Sequence, residues 1–289
     1  MKQTRREFLM TAVAASAVQM VMPAELVLAA SPASRLRTIT YNILKCHGYS
    51  VKPAAKPFLK AGEAQVPTRL ALELALYQPD LVSFQEAPPE KVVASIASQL
   101  GLKYAFFSGG WNGAVLSKYE IASPQNCPLV SWKERPKELF TRHWGRAVIR
   151  APGGDIRFFS AHLHPSDGSV RAREVSELLK VMGSSLEKGE RVILQGDLNH
   201  QPSGPEYPRW VQVGLVDVWA KVKKAGTSDY SVTSDEPARR IDYVWASAPL
   251  ASGAREARIL FERAFRTNPQ DPLSVALSDH IPVMVDFGS

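Results

Sequence analysis

The sequence predicts an α/β sandwich in which helices cover mixed β-sheets, and three observations support this fold class. Short β-rich runs recur along the chain and are bounded by turn residues. The segments between several of these runs have apolar residues spaced about 3.6 apart, as on one face of a helix. Two consecutive runs, 147–150 and 156–161, are separated by a turn of hairpin length. This short connection favours a sandwich over a parallel barrel, because parallel strands need a longer crossover.

The predicted elements follow one another along the whole chain after its first part. Strands are predicted at 36–43, 80–84, 113–116, 147–150, 156–161, 192–195, 241–245 and 281–287. Helices are predicted at 67–76, 91–100 and 170–186. Turns rich in Gly, Asn and Asp fall between these elements, at 111–113, 152–154 and 166–168.

The amino terminus has the pattern of an export signal. Arg5 and Arg6 precede an uncharged run rich in Ala and Val at 10–24, and the pair resembles a twin-arginine signal. A buried helix or an uncleaved anchor is the alternative, but the run covers roughly 15 residues, short of the ~20 that span a bilayer. We interpret 1–30 as a signal peptide of uncertain cleavage site and 31–289 as one domain. The protein is then expected in the periplasm or outside the cell, exported by the twin-arginine machinery.

The remaining chain has the composition of a soluble globular protein, and we expect a monomer. It contains no later apolar run of membrane-spanning length, no repeat and no Gly/Ser linker. The formal net charge of +7 favours anionic partners only weakly, since no dense stripe of Lys and Arg indicates nucleic acid. Cys46 and Cys127 are compatible with a disulfide in an oxidising compartment, but their spacing does not decide it.

Unusual polar residues fall where the apolar runs begin or end. Loops at strand ends commonly build active sites, because a rigid sheet can present several side chains to one cleft. Histidines, carboxylates and amides all occur in this position. The candidate site residues are Asn42, Glu86, His162, Asp197, Asn199, Asp242, Asp279 and His280.

This set of side chains predicts phosphoester chemistry that depends on a hard cation. Carboxylate and amide oxygens without thiolates suit Mg²⁺ or Mn²⁺ better than zinc. A metal with His and Asp can neutralise phosphoryl oxygens, orient a water and assist the leaving oxygen. Asp197 and Asn199 are two residues apart in an extended segment and therefore point to the same side. Asp242 is suited to orient the His280 ring and to favour its protonated form.

Each of these residues also has an ordinary structural explanation when taken alone. Asp197 could cap a turn, and Asn42 could end a strand. Glu86 could be a solvated residue before a helix, and Asp242 could pair with a neighbouring arginine. The functional interpretation depends on the whole set, because the same chemical types recur at successive strand ends.

Six ordered motifs resemble the endonuclease/exonuclease/phosphatase superfamily, which is related to DNase I. They extend over most of 36–287. The motifs are Thr-Tyr-Asn-Ile (40–43), Pro-Asp-Leu-Val-Ser-Phe-Gln-Glu (79–86), Ala-His-Leu (161–163), Gly-Asp-Leu-Asn (196–199), Arg-Ile-Asp-Tyr-Val (240–244) and Ser-Asp-His-Ile-Pro-Val (278–283). The resemblance implies a four-layer sandwich of two mixed β-sheets flanked by helices.

The resemblance also implies metal ligands. Glu86 would be the principal Mg²⁺ ligand, with Asn42 and Asp279 lining the metal and the phosphate. Some DNA-repair members carry an acidic ligand two residues after the first Asn, where this chain has Leu44. The family's Gly-Asn-Ala-Ile-Leu-Ser stretch has its Asn and Gly exchanged here, which leaves a site role for Asn112 open.

The remaining candidates would carry the chemistry itself. Asp197 would orient or deprotonate the attacking water, and Asn199 would hold the phosphoryl group. His162 would contact a phosphate oxygen or assist the leaving group. His280 would stabilise the transition state, with Asp242 fixing its ring.

The predicted function is hydrolysis of a phosphodiester or a phosphomonoester. The family includes nucleases, sphingomyelinases and phosphatases of small organophosphates, and the fold does not choose among them. A lipid substrate would call for an exposed apolar patch, for which Trp132, Trp144 and Trp210 are candidates. The alternative to an enzyme is a catalytically silent homologue that serves as a periplasmic binding or scaffold protein.

Overall fold

Two six-stranded β-sheets form the centre of the protein. The structure, a computed structural model, describes residues 35–127, 139–224 and 226–288, and the predicted signal peptide lies outside them. The first sheet contains β1 (Leu36–Asn42), β2 (Leu81–Ala87), β3 (Lys103–Phe107), β4 (Asn112–Ser117), β11 (Ala254–Ile259) and β12 (Val283–Phe287). The second contains β5 (Ile121–Cys127), β6 (His143–Ala151), β7 (Gly154–His162), β8 (Arg191–Asp197), β9 (Leu215–Asp217) and β10 (Asp242–Ser247).

Both sheets are mixed, as the sequence predicts. The strand orders are β11-β12-β1-β2-β4-β3 and β5-β6-β7-β8-β10-β9. The pair β1 and β2 is parallel, and so is the pair β7 and β8. The other pairs are antiparallel, including the predicted hairpin of β6 and β7.

Helices flank the two sheets. They are α1 (Lys56–Gly62), α2 (Val66–Ala75), α3 (Glu90–Leu100), α4 (Gly168–Glu187), α5 (Tyr207–Gln212), α6 (Val218–Val222) and α7 (Ala248–Ala251). The apolar faces of α2 and α3 pack on the outer residues of the first sheet, and those of α4 and α5 pack on the second. Asp167 caps α4 by accepting hydrogen bonds from the backbone of Ser169 and Val170. The four-layer α/β sandwich is therefore confirmed.

The predicted elements are present with shifted ends. The strand predicted at 80–84 continues to Ala87, and the strand predicted at 281–287 begins at Val283. Trp144 and Trp210 are only 3% and 0% exposed, so neither provides a lipid-facing surface, and Trp132 lies outside the described residues. Cys46 and Cys127 are both free, buried thiols.

The layer between the sheets changes from apolar to polar along the strands. At the amino-terminal end of β1 it is built from side chains such as Leu36, Phe158, Ile193 and Phe287. Burial of this apolar surface stabilises the stacking of the sheets by roughly 25 cal/mol per Å² removed from water. Towards the carboxyl-terminal ends of the central strands, buried Thr, Ser and Gln side chains replace the apolar ones.

Gln195 joins the two sheets through this polar region. Its Oε1 accepts a hydrogen bond from Thr38 Oγ1 at 2.7 Å, and its Nε2 donates to the Ile39 carbonyl at 3.0 Å. Both side chains are fully buried. Since an unpaired buried amide is costly, these bonds fix β8 against β1 at one register.

Candidate functional site

The strand directions bring the predicted site residues to one edge of the sandwich. In the first sheet, β1 and β2 end at this edge and β12 starts from it. In the second sheet, β7 and β8 end there and β10 starts there, so His162, Asp197 and Asp242 lie at neighbouring positions. The prediction that these side chains share a cleft therefore agrees with the topology.

Gly196 allows β8 to pack closely against β7 at the end that carries the site residues. It pairs with Ala161 in the parallel ladder, and a Cβ at Gly196 would lie 1.9 Å from the Ala161 carbonyl oxygen. Its φ of +151° is also unfavourable for other residues. The glycine of Gly-Asp-Leu-Asn thus places Asp197 directly beside His162.

Glu86 presents a carboxylate oxygen that has no partner among the described residues. Asn42 Nδ2 donates to Glu86 Oε1 at 3.2 Å, whereas Oε2 is buried without a hydrogen bond from any described residue. Burial raises the pKa of Glu86, the Asn42 bond lowers it, and the negative charge of Asp279 raises it further. Glu86 lies within β2 and is partly buried, so it is not a solvated helix-start residue.

Asn42 contacts Glu86 directly, and Asp279 acts on it through its negative charge. Asn42 Nδ2 also donates to Asp197 Oδ2 at 3.1 Å, while its Oδ1 accepts from the Leu44 backbone at 3.2 Å. The amide therefore turns its nitrogen, not its oxygen, towards the carboxylates. Asp279 Oδ1 accepts from Ser278 Oγ at 3.2 Å, and the same hydroxyl also donates to the Asn42 carbonyl at 2.7 Å.

His280 bridges two carboxylates of the second sheet. Its Nδ1 donates to Asp242 Oδ2 at 2.9 Å, and its Nε2 lies 3.7 Å from Asp197 Oδ2. Burial lowers the pKa of His280, but Asp242 and Asp197 outweigh that effect and raise it to about 10. Ser231 Oγ donates to the same Asp242 oxygen at 2.7 Å. The imidazole is therefore held in one orientation and in its charged form.

Asp197 is the centre of the arrangement and is 2% exposed. Burial raises the pKa of Asp197, and nearby Asp242 raises it further, whereas His280 and the hydrogen bond from Asn42 lower it. A carboxylate with a raised pKa accepts a proton more readily than an ordinary one. The arrangement suits Asp197 to the predicted role of a base.

His162 is buried beside Asp197 but stays neutral. Its Nε2 lies 3.4 Å from Asp197 Oδ2, and Nδ1 has no hydrogen-bond partner within the described ranges. Burial lowers the pKa of His162 well below its ordinary value, and the positive charges of Arg142 and His280 lower it further. A neutral imidazole at this point can accept or donate one hydrogen bond.

Asn199 is tied to the end of β7. Its Nδ2 donates to the Leu163 carbonyl at 2.9 Å, and its backbone N–H donates to Asp197 Oδ1 at 3.1 Å. Its φ of +52° is a left-handed conformation that Asn adopts more easily than most residues. One of the two N–H donors of the amide is thus engaged, which leaves the other N–H and Oδ1 for any contact with substrate.

The partners of the buried charged residues show whether Asp242 pairs with the adjacent Arg240 or with His280. Arg240 Nη1 pairs with Asp217 at 2.7 Å, whereas Asp242 is bonded to His280 and Ser231. Asp242 is therefore not the partner of the adjacent arginine. A buried carboxylate paired with a histidine at a strand end is typical of a catalytic arrangement.

Two places at this edge have the donor chemistry for a cation. Single ligand atoms of Asp197, Asp242 and His280 lie within 4.8 Å of one another. That group is a poor metal site, because the charged imidazole has no free lone pair and already binds Asp242. Glu86 fits better, since its Oε2 is buried without a hydrogen bond from any described residue and a hard cation needs carboxylate ligands.

Sequence reasoning missed His143, which packs against the site from β6. It is the register partner of His162, its Nδ1 donates to the Trp111 carbonyl at 3.1 Å, and its Nε2 lies 3.4 Å from Ser160 Oγ. Burial lowers the pKa of His143 to about 4, so the ring is neutral. Counting back across the hairpin from its Gly-Gly turn would have located this residue opposite His162.

The exchanged Asn and Gly of the 112–113 pair are explained by the same imidazole. Asn112 Oδ1 accepts from the Gly109 backbone at 3.1 Å and so organises the turn before β4. A Cβ at Gly113 would lie 1.9 Å from His143 Nε2. Glycine at this position therefore makes room for the His143 ring.

Gly113→Ala is expected to lower the free energy of unfolding by about 1–3 kcal/mol, the usual cost of overpacking a core. Because the clash is with one imidazole, Gly113→Ala combined with His143→Ala should cost less than the sum of the single changes, by at least about 0.5 kcal/mol. Denaturant unfolding of the wild type, both single variants and the double variant measures this coupling. Strict additivity would contradict the proposed contact.

Comparison with known proteins identifies the wider group. Residues 39–280 match the profile of the Endonuclease/Exonuclease/phosphatase family. A search of curated proteins gives no significant match. Within the described residues, no helix is both long and apolar enough to cross a membrane.

Several solved structures have the same fold. An endonuclease/exonuclease/phosphatase family protein from Bacteroides thetaiotaomicron has a TM-score of 0.68 at 18% identity, covering 88% of this chain and 98% of its own. The mannosyl-6-phosphatase of the same species has a TM-score of 0.67 at 18% identity, covering 86% and 98%. TDP2 of D. rerio with a single-strand DNA product has a TM-score of 0.60 at 19% identity, covering 89% and 100%.

The sandwich architecture and the motif-bearing strand ends define the class of DNase I-like α/β proteins. The matched profile covers most of the sequence, and the chain belongs to the endonuclease/exonuclease/phosphatase family. Members of this family are phosphoesterase hydrolases. The resemblance drawn from the six motifs is thereby confirmed.

Proposed function

We propose that the protein is an exported, metal-dependent phosphoester hydrolase that uses an activated water. The observation that supports this most directly is the chain of contacts from Asp242 through His280 to Asp197, which ends 3.1 Å from the amide that also binds Glu86. A general base, a charged imidazole and an open carboxylate oxygen thus lie side by side. Hydrolysis at phosphorus needs these three functions together.

Asp197 is the group that accepts the proton of the attacking water. Its buried position favours proton uptake, and the Asn199 backbone and the Asn42 amide hold its two oxygens in a fixed orientation. His280 remains charged because Asp242 compensates it, so its Nε2 can donate to a phosphoryl oxygen as negative charge develops there. Neutral His162 supplies a further hydrogen bond to the same phosphoryl group.

Glu86 and Asp279 are the residues that would hold a divalent cation, with Asn42 orienting Glu86. A bound Mg²⁺ or Mn²⁺ neutralises charge on phosphoryl oxygens and eases departure of the leaving oxygen. The nearby carboxylates are otherwise mutually repulsive, which supports the need for a cation at this point.

The proposed reaction is defined more narrowly than the substrate. Among the similar structures, one is a mannosyl-6-phosphatase and another holds a DNA product, so the fold is compatible with small and polymeric phosphoesters. The export signal predicted at 1–30 supports an action on substrates outside the cytoplasm. Burial excludes Trp144 and Trp210 as lipid-facing residues, and the third candidate, Trp132, lies outside the described residues.

A panel of substrates tests the proposal. Purified protein is incubated with bis-p-nitrophenyl phosphate, p-nitrophenyl phosphate, plasmid DNA or sphingomyelin, each with Mg²⁺, Mn²⁺, Ca²⁺ or a chelator. We expect turnover of at least one phosphoester with Mg²⁺ or Mn²⁺ and its loss with chelator. Absence of turnover under all conditions would favour the catalytically silent binding protein instead.

A further inference from the structure

A cluster of two cations around one indole lies beside the catalytic edge. Lys45 Nζ lies 3.9 Å from the centre of a Trp111 ring, and the Arg142 guanidinium carbon lies 5.5 Å from a Trp111 ring centre. We call these three residues the cationic rim. All three are partly exposed, and the reaction described above uses none of them.

Each member of the cationic rim is placed by a residue of the site itself. Lys45 follows Asn42 by three positions, in a left-handed turn that begins where Asn42 Oδ1 accepts from the Leu44 backbone. Trp111 and Arg142 are both tied to His143, the first through its carbonyl and the second as its chain neighbour. The cationic rim therefore lies at the catalytic edge of the sandwich.

The positive charge of the cationic rim is not neutralised by direct ion pairs. In the described part of the chain, no carboxylate lies within 4.0 Å of Lys45 or Arg142, whereas Arg171 and Arg240 each pair with one. Arg142 Nη1 reaches only the Thr141 hydroxyl, at 3.3 Å. Its Nε is buried with no described hydrogen-bond partner. An unsatisfied guanidinium N–H is unfavourable unless a ligand accepts from it.

Arg142 immediately precedes His143, the register partner of His162, and therefore lies next to the site. Its charge lowers the pKa of Glu86 after larger effects of burial and hydrogen bonding, and it contributes to lowering the pKa of His162. Both residues belong to the place where the cleaved phosphoryl group would bind. The ligand of the cationic rim must therefore be next to that group and not remote from it.

We propose that Lys45, Trp111 and Arg142 form a second anion subsite that binds a phosphoryl group of the substrate other than the one cleaved. This inference rests on the proposed function and narrows its substrate to molecules with two neighbouring phosphates. Arginine offers paired N–H donors that match phosphate oxygens, and lysine adds a point charge. The indole between them holds both cations by cation–π contact and limits the freedom they lose on binding.

The simpler explanation is that the two cations only offset the negative charge of the site. Such an offset would affect every phosphoester alike. A subsite would instead discriminate between substrates that do and do not carry a second phosphate. Comparing the KM values of substrates with and without a second phosphate separates the two explanations. This comparison does not depend on how much of the protein is folded.

The kinetic experiment uses a matched set of p-nitrophenyl esters of thymidine 5′-phosphate. One has a free 3′-hydroxyl, one a 3′-phosphate, and one a 3′-phosphodiester to a second thymidine. For the wild type we expect a KM about tenfold lower when either 3′-phosphorus is present, as a charge-assisted contact of ordinary strength would give. The phosphate and phosphodiester arms distinguish a small bisphosphate from a nucleic acid strand as the source.

Variants of the cationic rim should reduce this preference. Lys45→Ala and Arg142→Ala are each expected to reduce the difference in KM between the ester with a free 3′-hydroxyl and the esters with a 3′-phosphorus. The double variant should abolish this difference. Arg142→Lys should keep part of it. Lys188→Ala is the matched control, because it removes one exposed positive charge that precedes β8. Asp197 lies at the opposite end of this strand, which is about 20 Å long. Equal KM values for all esters in the wild type, or a ratio unchanged in the double variant, would overturn the proposal.

A binding experiment makes the inference independent of turnover. Inorganic phosphate is titrated into isotopically labelled protein without divalent metal, and the Trp111 indole N–H signal, assigned with Trp111→Phe, is followed by NMR. We expect a saturable shift in the wild type and in Lys188→Ala, and none in the double Lys45 and Arg142 variant. An unmoved signal in the wild type would refute the subsite. A normal shift in a protein that hydrolyses no ester would refute the proposed function and leave the subsite in place.

Discussion

Asp197→Asn and His280→Ala are each expected to lower kcat by at least ~10²-fold, the usual contribution of a positioned acid or base. Asn cannot take the proton that Asp197 accepts, although it is nearly the same size and can keep one of the two hydrogen bonds at this position. Removal of the imidazole takes away the donor that Asp242 holds in place at 2.9 Å. The effect should therefore fall on kcat, with a smaller effect on KM.

The measurement is steady-state kinetics on whichever ester of the substrate panel is turned over, at saturating metal. Asp155→Asn is the control for the carboxylate, because it lies in the opposite half of β7, about 20 Å from His162. His47→Ala is the control for the imidazole, since that side chain is 55% exposed. Circular dichroism checks that the variants are folded. Wild-type rates for both site variants would remove these two residues from the mechanism.

Glu86→Gln is expected to raise the Mg²⁺ concentration for half-maximal activity by about 10²-fold or more. A neutral amide replaces an anionic ligand at a site that must compete with the tightly held hydration shell of Mg²⁺. Even residues that only support metal ligands typically change affinity by about 10- to 100-fold, which sets a lower scale for a direct ligand. Excess metal should restore part of the activity.

Metal titrations of the rate, together with direct calorimetric titration of Mg²⁺, measure this change. Glu187→Gln is the control, because this exposed carboxylate ends α4 on the far side of β8. If Glu86→Gln has an unchanged metal requirement, Glu86 does not bind the cation. A change in the rate at saturating metal without a change in metal affinity would assign it a role in orienting Asn42.

The strands that the sequence did not predict are those at the edges of the two sheets, β11 and β3 in one and β5 and β9 in the other. Central strands are buried on both faces and therefore read as continuous apolar runs. An edge strand is partly solvated and can be polar, as in the Ala-Arg-Glu-Ala-Arg-Ile sequence of β11. β5 even contains Pro124 at a register shift, a feature that edges tolerate and that central strands do not.

The site was predictable to the extent that it follows strand ends. Glu86, Asp197 and His280 could be found from their places next to apolar runs, and the strand directions bring them together. Ser231 could not, because it comes from an irregular segment and meets Asp242 only through the tertiary fold. Lys45 was missed for a related reason, since a lysine in a short turn has no periodic pattern that marks it.

The buried side-chain amide of Gln195 connects the two sheets, each of which contributes part of the candidate site. Glu86 belongs to one sheet and Asp197 and Asp242 to the other, so the candidate site is complete only while the two sheets stay in alignment. A small slip of one half past the other would separate Asp197 from Glu86 and still leave most of the hydrophobic contacts intact. Catalytic activity is therefore more sensitive than folding to changes in the contact between the two sheets. A substitution deep in the interior would reduce turnover before it reduced the fraction of folded protein.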